Sequence, residues 1–311
     1  MGYGHTPVLM EACIRVLGVR AGDVYVDCTA GLGGHAAAVG PLVVPGGVVV
    51  LNDADPLNMV VAAERVRGVA GGARVEVLTG NFAEVPHKLG GVEGGGVKAD
   101  AVLADLGFAS TQVDDAARGF SFSQDGPLDM RMDPTLAVTA ADLVNGLPEA
   151  ELAGIIERYG EDRAARRIAA KLAWARAADP IKTTGRLAEL VRSAAGGRGR
   201  SEIDPATRTF QALRIAVNDE IGSLEALLEA AVADAERAAN KQLTAWLKPG
   251  ARFAVISFHS LEDRPVKRAM ERMVKLGAED LTDGAVTATE EEIRDNPRAR
   301  SAKLRAVKIP G

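Results

Sequence analysis

An α/β protein, with a mostly parallel doubly wound sheet interrupted by an inserted all-helical domain, is the fold this sequence predicts. Three observations predict it. The first third alternates short, nearly continuous apolar runs with segments that are apolar at helical spacing, as parallel strands covered on both faces by crossover helices require. From about residue 113 to 206 the strand signal vanishes and the chain becomes rich in Ala, Arg, Leu and Glu. Strand character then returns late in the chain. A sheet that stops and resumes assigns residues 1–112 and 207–311 to one domain and 113–206 to the insertion.

The elements follow in order. DVYVDC (23–28), VVVL (48–51), RVEVL (74–78) and the apolar run over 100–106 are of strand length. An Ala-rich segment over 35–39 separates the first two. A helical pattern opens after Pro56, a residue suited to a first helical turn. Strand and helix at this pitch read as right-handed βαβ units. In the insertion, helices are expected over 149–158, 162–177 and 183–195. Strands resume over 251–259, after the turn Lys248-Pro249-Gly250, and over 302–309. The glycine-rich stretches 90–96 and 196–199 read as surface loops.

The chain has 311 residues, 47% hydrophobic and 25% charged, which excludes the low-hydrophobicity, high-charge composition of disordered chains. Its formal net charge of −5 argues against a protein that coats nucleic acid indiscriminately. Cys13 and Cys28 have neither CxxC nor Cys/His spacing, so they are expected as reduced, buried thiols rather than metal ligands. The N-terminus lacks the charged and apolar regions of a signal peptide. The most apolar stretch, 36–51, is broken by Pro41, Pro45 and three glycines, short of what a membrane span needs. A cytoplasmic chain with no membrane partner is the expectation.

The first strand runs directly into Asp27-Cys28-Thr29-Ala30-Gly31-Leu32-Gly33-Gly34-His35. Glycines at such a junction let the backbone turn sharply and approach a ligand. The same turn satisfies GxGxxA through Gly31, Gly33 and Ala36, so a nicotinamide site is an alternative at this point. Asp53 follows the second strand, where a carboxylate can accept from ribose hydroxyls, although an N-cap ahead of Pro56 would use it equally well. Asn81-Phe82 follows the third strand, where a ring can pack on adenine or simply in the core. Asp105 ends the fourth, in Asp105-Leu106-Gly107-Phe108. Ligands of open α/β sheets bind at these strand ends. An acidic residue at the first strand's end, the DxxxGxG turn and an acidic residue after the second strand together resemble a class I S-adenosylmethionine-dependent methyltransferase.

Longer strings narrow the resemblance. His5-Thr6-Pro7-Val8-Leu9, Gly33-Gly34-His35, Asp105-Leu106-Gly107, Arg118-Gly119-Phe120-Ser121-Phe122, the run PLDMRMD ending at Asp133, Tyr159-Gly160-Glu161, the run PATRTFQALR ending at Arg214, the run ISFHSLEDR ending at Arg264, and Asn296-Pro297-Arg298-Ala299-Arg300-Ser301 occur in one order. Together they resemble the bacterial MraW/RsmH family of 16S ribosomal RNA cytosine-N4 methyltransferases. The resemblance implies S-adenosyl-L-methionine as cofactor, with Asp27, Gly31, Gly33, Gly34, His35, Asp53, Phe82, Asp105 and Gln112 as its contacts. It implies 16S ribosomal RNA in the small ribosomal subunit as partner, and leaves open a homodimer. This chain reads Ala109-Ser110-Thr111-Gln112 where the family usually has Ser-Ser-Pro-Gln, which leaves Ser110 as the hydroxyl to consider. It reads Asp204 where the family often has His.

The implied chemistry is direct displacement, in which a cytosine amino nitrogen attacks a sulfonium methyl. Its lone pair is conjugated with the ring, so the site must position it and draw an N–H toward an acceptor. Asp105 is the candidate acceptor, with Phe108 lining the base pocket. Asp129, Arg131 and Asp133 alternate along PLDMRMD and would share one face if extended. They are candidate nucleotide contacts beside Arg208, Asn218 and Arg264, with a loop salt-bridge network as the alternative. His259 lies at the end of the fifth strand, as a base or phosphate contact or as a structural residue. His5 and Thr6 are a candidate lid or docking point. A base within folded RNA must be extruded or met unpaired. A DNA amino-methyltransferase lacks support because both prolines of its Asp/Asn-Pro-Pro-aromatic loop are missing here; a non-catalytic RNA-binding assembly factor is the alternative of another class.

The net charge divides unevenly. Residues 158–214 hold 13 basic and 6 acidic side chains, a balance of +7 that leaves −12 elsewhere. Arg298, Arg300, Lys303, Arg305 and Lys308 form a second basic cluster. A local basic face can position an RNA backbone while a pocket selects the base.

Overall fold

The computed structural model describes residues 7–90, 96–195 and 204–311. His5, Thr6 and most of both glycine-rich stretches lie outside them. In chain order the elements are α1 (Met10–Leu17), β1 (Val24–Asp27), α2 (Gly34–Val39), β2 (Val48–Asp53), α3 (Pro56–Val69), β3 (Arg74–Thr79), α4 (Val85–Gly90) and β4 (Ala99–Asp105). Then come α5 (Ser110–Asp114), α6 (Ala140–Gly146), α7 (Glu149–Gly160), α8 (Ala165–Ala178), α9 (Thr184–Ala195), α10 (Ala206–Asn218) and α11 (Glu220–Ala239). The chain closes with β5 (Leu247–Ser257), α12 (Ser260–Lys275), β6 (Glu279–Asp280), β7 (Val286–Thr287), α13 (Glu290–Asp295) and β8 (Lys303–Lys308). Two compact units result: residues 1–107 with 221–311, and residues 108–220.

The first unit carries one sheet in the order β3-β2-β1-β4-β5-β8-β6, with β7 pairing β8. The contacts among β1 to β5 are parallel, and β8 runs antiparallel to β5. Period-2 alternation divides each strand between two cores. Val24, Val26, Val50, Val102, Ala104, Phe253 and Val255 pack on one face with residues of α11 and α12. Tyr25, Val49, Leu51, Ala101, Leu103, Ala254 and Ile256 pack on the other with residues of α1, α2 and α3. Burial on both faces is why these strands read as continuous apolar runs. The result is a mostly parallel, doubly wound sheet.

In the second unit the core is formed by Leu152, Ile156, Ile168, Leu172, Leu187, Val191, Phe210 and Leu213 among others. Main-chain carbonyls at the ends of α6 are satisfied by Arg176, whose guanidinium donates to Val144 O and Leu147 O. Asn145 closes the same corner, donating to Ala141 O and Ile181 O and accepting from Ile181 N. The unit reaches past the expected 113–206 at both ends. A boundary at 206 would cut α10 at its first residue, yet Ala206, Phe210 and Leu213 of α10 are buried in this helical core. Helical periodicity shows that a stripe is apolar, not which core it enters.

Among the described residues no helix is long and apolar enough to cross a membrane.

Candidate cofactor and active site

Strand order reverses between β1 and β4, the switch point at which open α/β sheets leave a crevice beyond their carboxyl ends. Local hydrogen bonds fix those ends. Cys28 N donates to Leu103 O, Asp105 N donates to Thr29 Oγ1 at 2.7 Å, and Leu106 N donates to Ile256 O. Asn52 is fully buried and ties β2 to both neighbours by donating to Cys28 O and Gly80 O. The turn after β1 is shaped by glycine. Gly31 and Gly33 hold φ of 52° and 75°, a region that costs other residues roughly 1–2 kcal/mol. A Cβ on Gly33 would meet the Ala62 backbone at 3.0 Å, and one on Gly34 would meet Pro7 at 2.5 Å.

Three carboxylates stand at this edge. Asp53 accepts from Gly31 N at 2.8 Å and from Asp55 N at 2.9 Å, which shapes the turn and leaves lone pairs on both oxygens. Capping of α3 falls to Asp55, which accepts from Leu57 N, so Asp53 is not the cap. Burial pushes the Asp53 carboxyl above its ordinary range, against the pull of those backbone donors. Asp27 is fully buried and pushed up to about 7, chiefly by burial, with the His35 charge and the Thr29 amide opposing. Asp105 Oδ2 lies 3.4 Å from His35 Nε2, and Asp105 Oδ1 is a buried oxygen with no hydrogen-bond partner among the described residues. Burial alone would depress His35, but Asp105 and Asp27 outweigh it and raise its pKa. Phe82 follows β3 in a short 3-10 turn and packs, half-buried, against the sheet core. Asn81 caps that turn and donates to Ser223 Oγ.

His259 lies two residues beyond β5 as the N-cap of α12. Its Nδ1 accepts from Glu262 N and its Nε2 lies 3.3 Å from the buried Glu262 carboxylate. This geometry is that of a helix cap. Arg264 is exposed in the first turn of α12. Asp263 pairs with Arg305 and Lys303, which partly neutralises the C-terminal basic cluster.

The remaining candidates belong to the helical unit. Ser110 opens α5, and Gln112 is buried with its Oε1 accepting from Ala109 N. Phe108 is 40% exposed, with the Arg214 guanidinium 4.6 Å from its ring centroid and the Phe120 ring at 6.0 Å. Arg214 is held by Glu220 through two bonds of 2.7 and 2.8 Å. Asp129 grips Arg131 in a two-bond pair, and Arg131 also donates to Pro134 O and Leu136 O. Arg131 holds the Asp129 carboxyl below its ordinary range despite burial. Asp133 accepts from Thr135 in a local turn. Asn218 bridges the loop by accepting from Met132 N and donating to Met130 O. Arg208 donates to Glu161 O. The PLDMRMD string is therefore an internally bonded loop rather than an extended face.

Residues 2–309 match the MraW methylase family. The chain belongs to that family. Proteins called ribosomal RNA small subunit methyltransferase H are 46% identical to it in Acidobacterium capsulatum, over 97% of each chain. Those of Pelobacter propionicus are 46% identical over 98% of each, and those of Stenotrophomonas maltophilia 44% identical over 97% of this chain and 92% of theirs. Likeness to solved structures is loose. A SAM dependent methyltransferase from Aquifex aeolicus overlaps 97% of this chain and 90% of its own at 11% identity, with a TM-score of 0.39.

The methyl donor of this methylase family is S-adenosylmethionine, and the strand-end cradle fits it. The turn is open at Gly31, where a Cβ would meet nothing within 4 Å, Asp53 keeps acceptor capacity for hydroxyls, and Asp105 presents a buried oxygen with no hydrogen-bond partner among the described residues. Three carboxylates favour a ligand carrying ammonium and sulfonium charge and oppose a pyrophosphate, which removes support from the nicotinamide alternative. Thr29, Arg214 and Glu220 were absent from the candidates read from the sequence. Their signal is available only after folding, because Thr29 acts on Asp105 and Arg214 on Phe108, both distant in the chain, and Glu220 acts through Arg214.

Proposed function

We propose that this methylase transfers the methyl group of S-adenosylmethionine to the exocyclic N4 of a cytidine in 16S ribosomal RNA of the small subunit. The observation that carries the reading is Asp105 Oδ1, buried at the switch point with no hydrogen-bond partner among the described residues. Family membership and the names of the curated relatives support it.

When bound, the cofactor supplies an electrophilic methyl on a positively charged sulfur. The chain's own residues prepare the amine. Asp105 accepts one N–H, which holds the nitrogen lone pair away from ring conjugation and receives the proton once the nitrogen–methyl bond has formed and the methyl–sulfur bond has broken. Phe108 offers the cytosine a flat apolar wall, braced by Arg214. Gly31 and Gly33 admit the donor, and Asp53 orients its ribose. The helical unit, residues 108–220, acts in substrate recognition, with Asp129, Arg131, Asp133, Arg208 and Asn218 as nucleotide contacts and Arg264 of α12 as a further one. For Arg131 and Asn218 the observed loop bonds assign a supporting role first. The cytoplasm is the compartment of this reaction.

The deciding experiment is transfer from labelled S-adenosylmethionine to small subunits that lack the modification, followed by nucleoside analysis. The expected product is N4-methylcytidine. Methyl transfer confined to DNA, or none, overturns the reading.

A further inference from the structure

α8 is amphipathic in an unusual way. Ala165, Ile168, Ala169, Leu172 and Ala175 face the helical core. On the opposite side Trp174 is 70% exposed, although a ring of that size is ordinarily among the most buried. The chain's other tryptophan, Trp246, is 1% exposed. Around Trp174 the outward positions are cationic or small: Arg166, Arg167, Ala170 and Ala177 are exposed, and Lys171 Nζ lies 4.4 Å from the indole centroid.

The charges here differ from the others of the +7 segment. Arg176, Arg192 and Arg214 are engaged by carbonyls or carboxylates within the helical unit. Arg163, Arg166 and Arg167 have no ion pair among the described residues. Helix α8 contains no acidic side chain, and the flanking Asp162 is bonded to Ala164 N. Arg167 and Lys171 are one turn apart, so like charges repel along the helix. A polyanion relieves that repulsion. The arrangement of a flat aromatic face beside a row of cations is the one by which proteins hold unpaired nucleic acid, base on ring and phosphates on the charges. Small neighbours around the ring suit a planar base better than the apolar anchor of a protein partner.

We propose that the outward face of α8 is a docking platform for an unpaired stretch of RNA, with Trp174 stacking on a base and Arg166, Arg167 and Lys171, with Arg163 in the turn just before the helix, holding the flanking phosphates. This rests on the reading above only in taking RNA as the substrate. The platform serves substrate docking and takes no part in methyl transfer.

The intact chain reports on this directly, because Trp246 is buried and Trp174 supplies the solvent-accessible emission. A single-stranded RNA of about 12 nucleotides is expected to change Trp174 emission and shield it from acrylamide. Trp174→Ala is expected to weaken RNA binding about 5- to 100-fold, and Trp174→Phe much less, because a ring is kept. Reversing Arg166 and Arg167 to Glu is expected to flatten the salt dependence by about 0.7 per lost phosphate contact. Cofactor affinity stays unchanged in all three. RNA binding that ignores Trp174→Ala, or acrylamide access unaltered by saturating RNA, overturns the platform. So does shielding that grows with protein concentration alone, which assigns the face to a second copy. Methylation of small subunits by the unaltered chain is read separately. If it proceeds while Trp174 stays silent, the platform fails and the proposed reaction stands; if Trp174 responds and no N4-methylcytidine forms, the reaction fails alone.

Discussion

Asp105 ends β4 with one oxygen beside His35 and the other buried with no hydrogen-bond partner among the described residues, so its substitution separates chemistry from folding. Asp105→Asn keeps size but loses the ability to take the amine proton. The expected result is a fall of about 10²–10⁴ in methyl transfer, measured by single turnover, with cofactor affinity changed far less. A near wild-type rate would falsify the role. Asp27 has a different signature. Its folded pKa of about 7 lies above the unfolded value of about 3.9, so the folded state holds that proton more tightly. This contribution is complete below about pH 4 and is lost as pH rises through 7. His35, also raised, adds in the same direction above its ordinary range. Without cofactor, Asp27→Asn should therefore lose less Tm than the unaltered chain between pH 5 and 8. An equal loss in both would remove Asp27 as the cause.

Turns and helix ends carry the site at the next scale. Gly33 combines a left-handed backbone with a Cβ direction blocked at 3.0 Å by the Ala62 backbone of α3. Gly33→Ala should lower stability by about 1–3 kcal/mol and weaken cofactor binding, read by thermal melts with and without S-adenosylmethionine. If the melts and the cofactor shift match wild type, the turn tolerates a side chain and the steric argument is wrong. Arg214 of α10 and Glu220 at the start of α11 are each about one-tenth exposed and joined by two hydrogen bonds. Arg214→Ala leaves the Glu220 carboxylate without its partner, at a cost of about 3–5 kcal/mol. Arg214→Met refills the volume against Phe108 and should recover part of that stability but not the methylation rate; recovery of both would make the guanidinium irrelevant to catalysis. These elements differ in legibility. The DxxxGxG turn, the strands and the helices at 149–160, 165–178 and 184–195 were readable to within a few residues, because burial on two faces or one stripe writes its period into the chain. The role of PLDMRMD was not, since its alternating charges close on their own loop instead of extending.

For the molecule as a whole, the distribution of charge matters more than its sum. Among the described residues of the helical unit Arg176, Arg192 and Arg214 are held in internal bonds, whereas Arg166 and Arg167 of α8 have no ion pair. RNA affinity should therefore fall steeply with salt while S-adenosylmethionine affinity barely moves, measured by titration of each ligand at several ionic strengths. Parallel slopes for both would mean that one surface serves both ligands. The C-terminal basic cluster adds less than its count suggests, because Asp263 engages Lys303 and Arg305.

The sequence by itself determined the fold class, the strands β1 to β5 and β8, the helices α3, α7, α8 and α9, the glycine turn after β1 and the carboxylates at the ends of β1, β2 and β4, because periodicity and glycine placement are local properties. Only the tertiary structure decided that α10 joins the helical unit, that Asp55 rather than Asp53 caps α3, that His259 is a helix cap, and that Arg214 braces Phe108. Each of those depends on which distant groups meet, and a chain records its own spacing but not its neighbours.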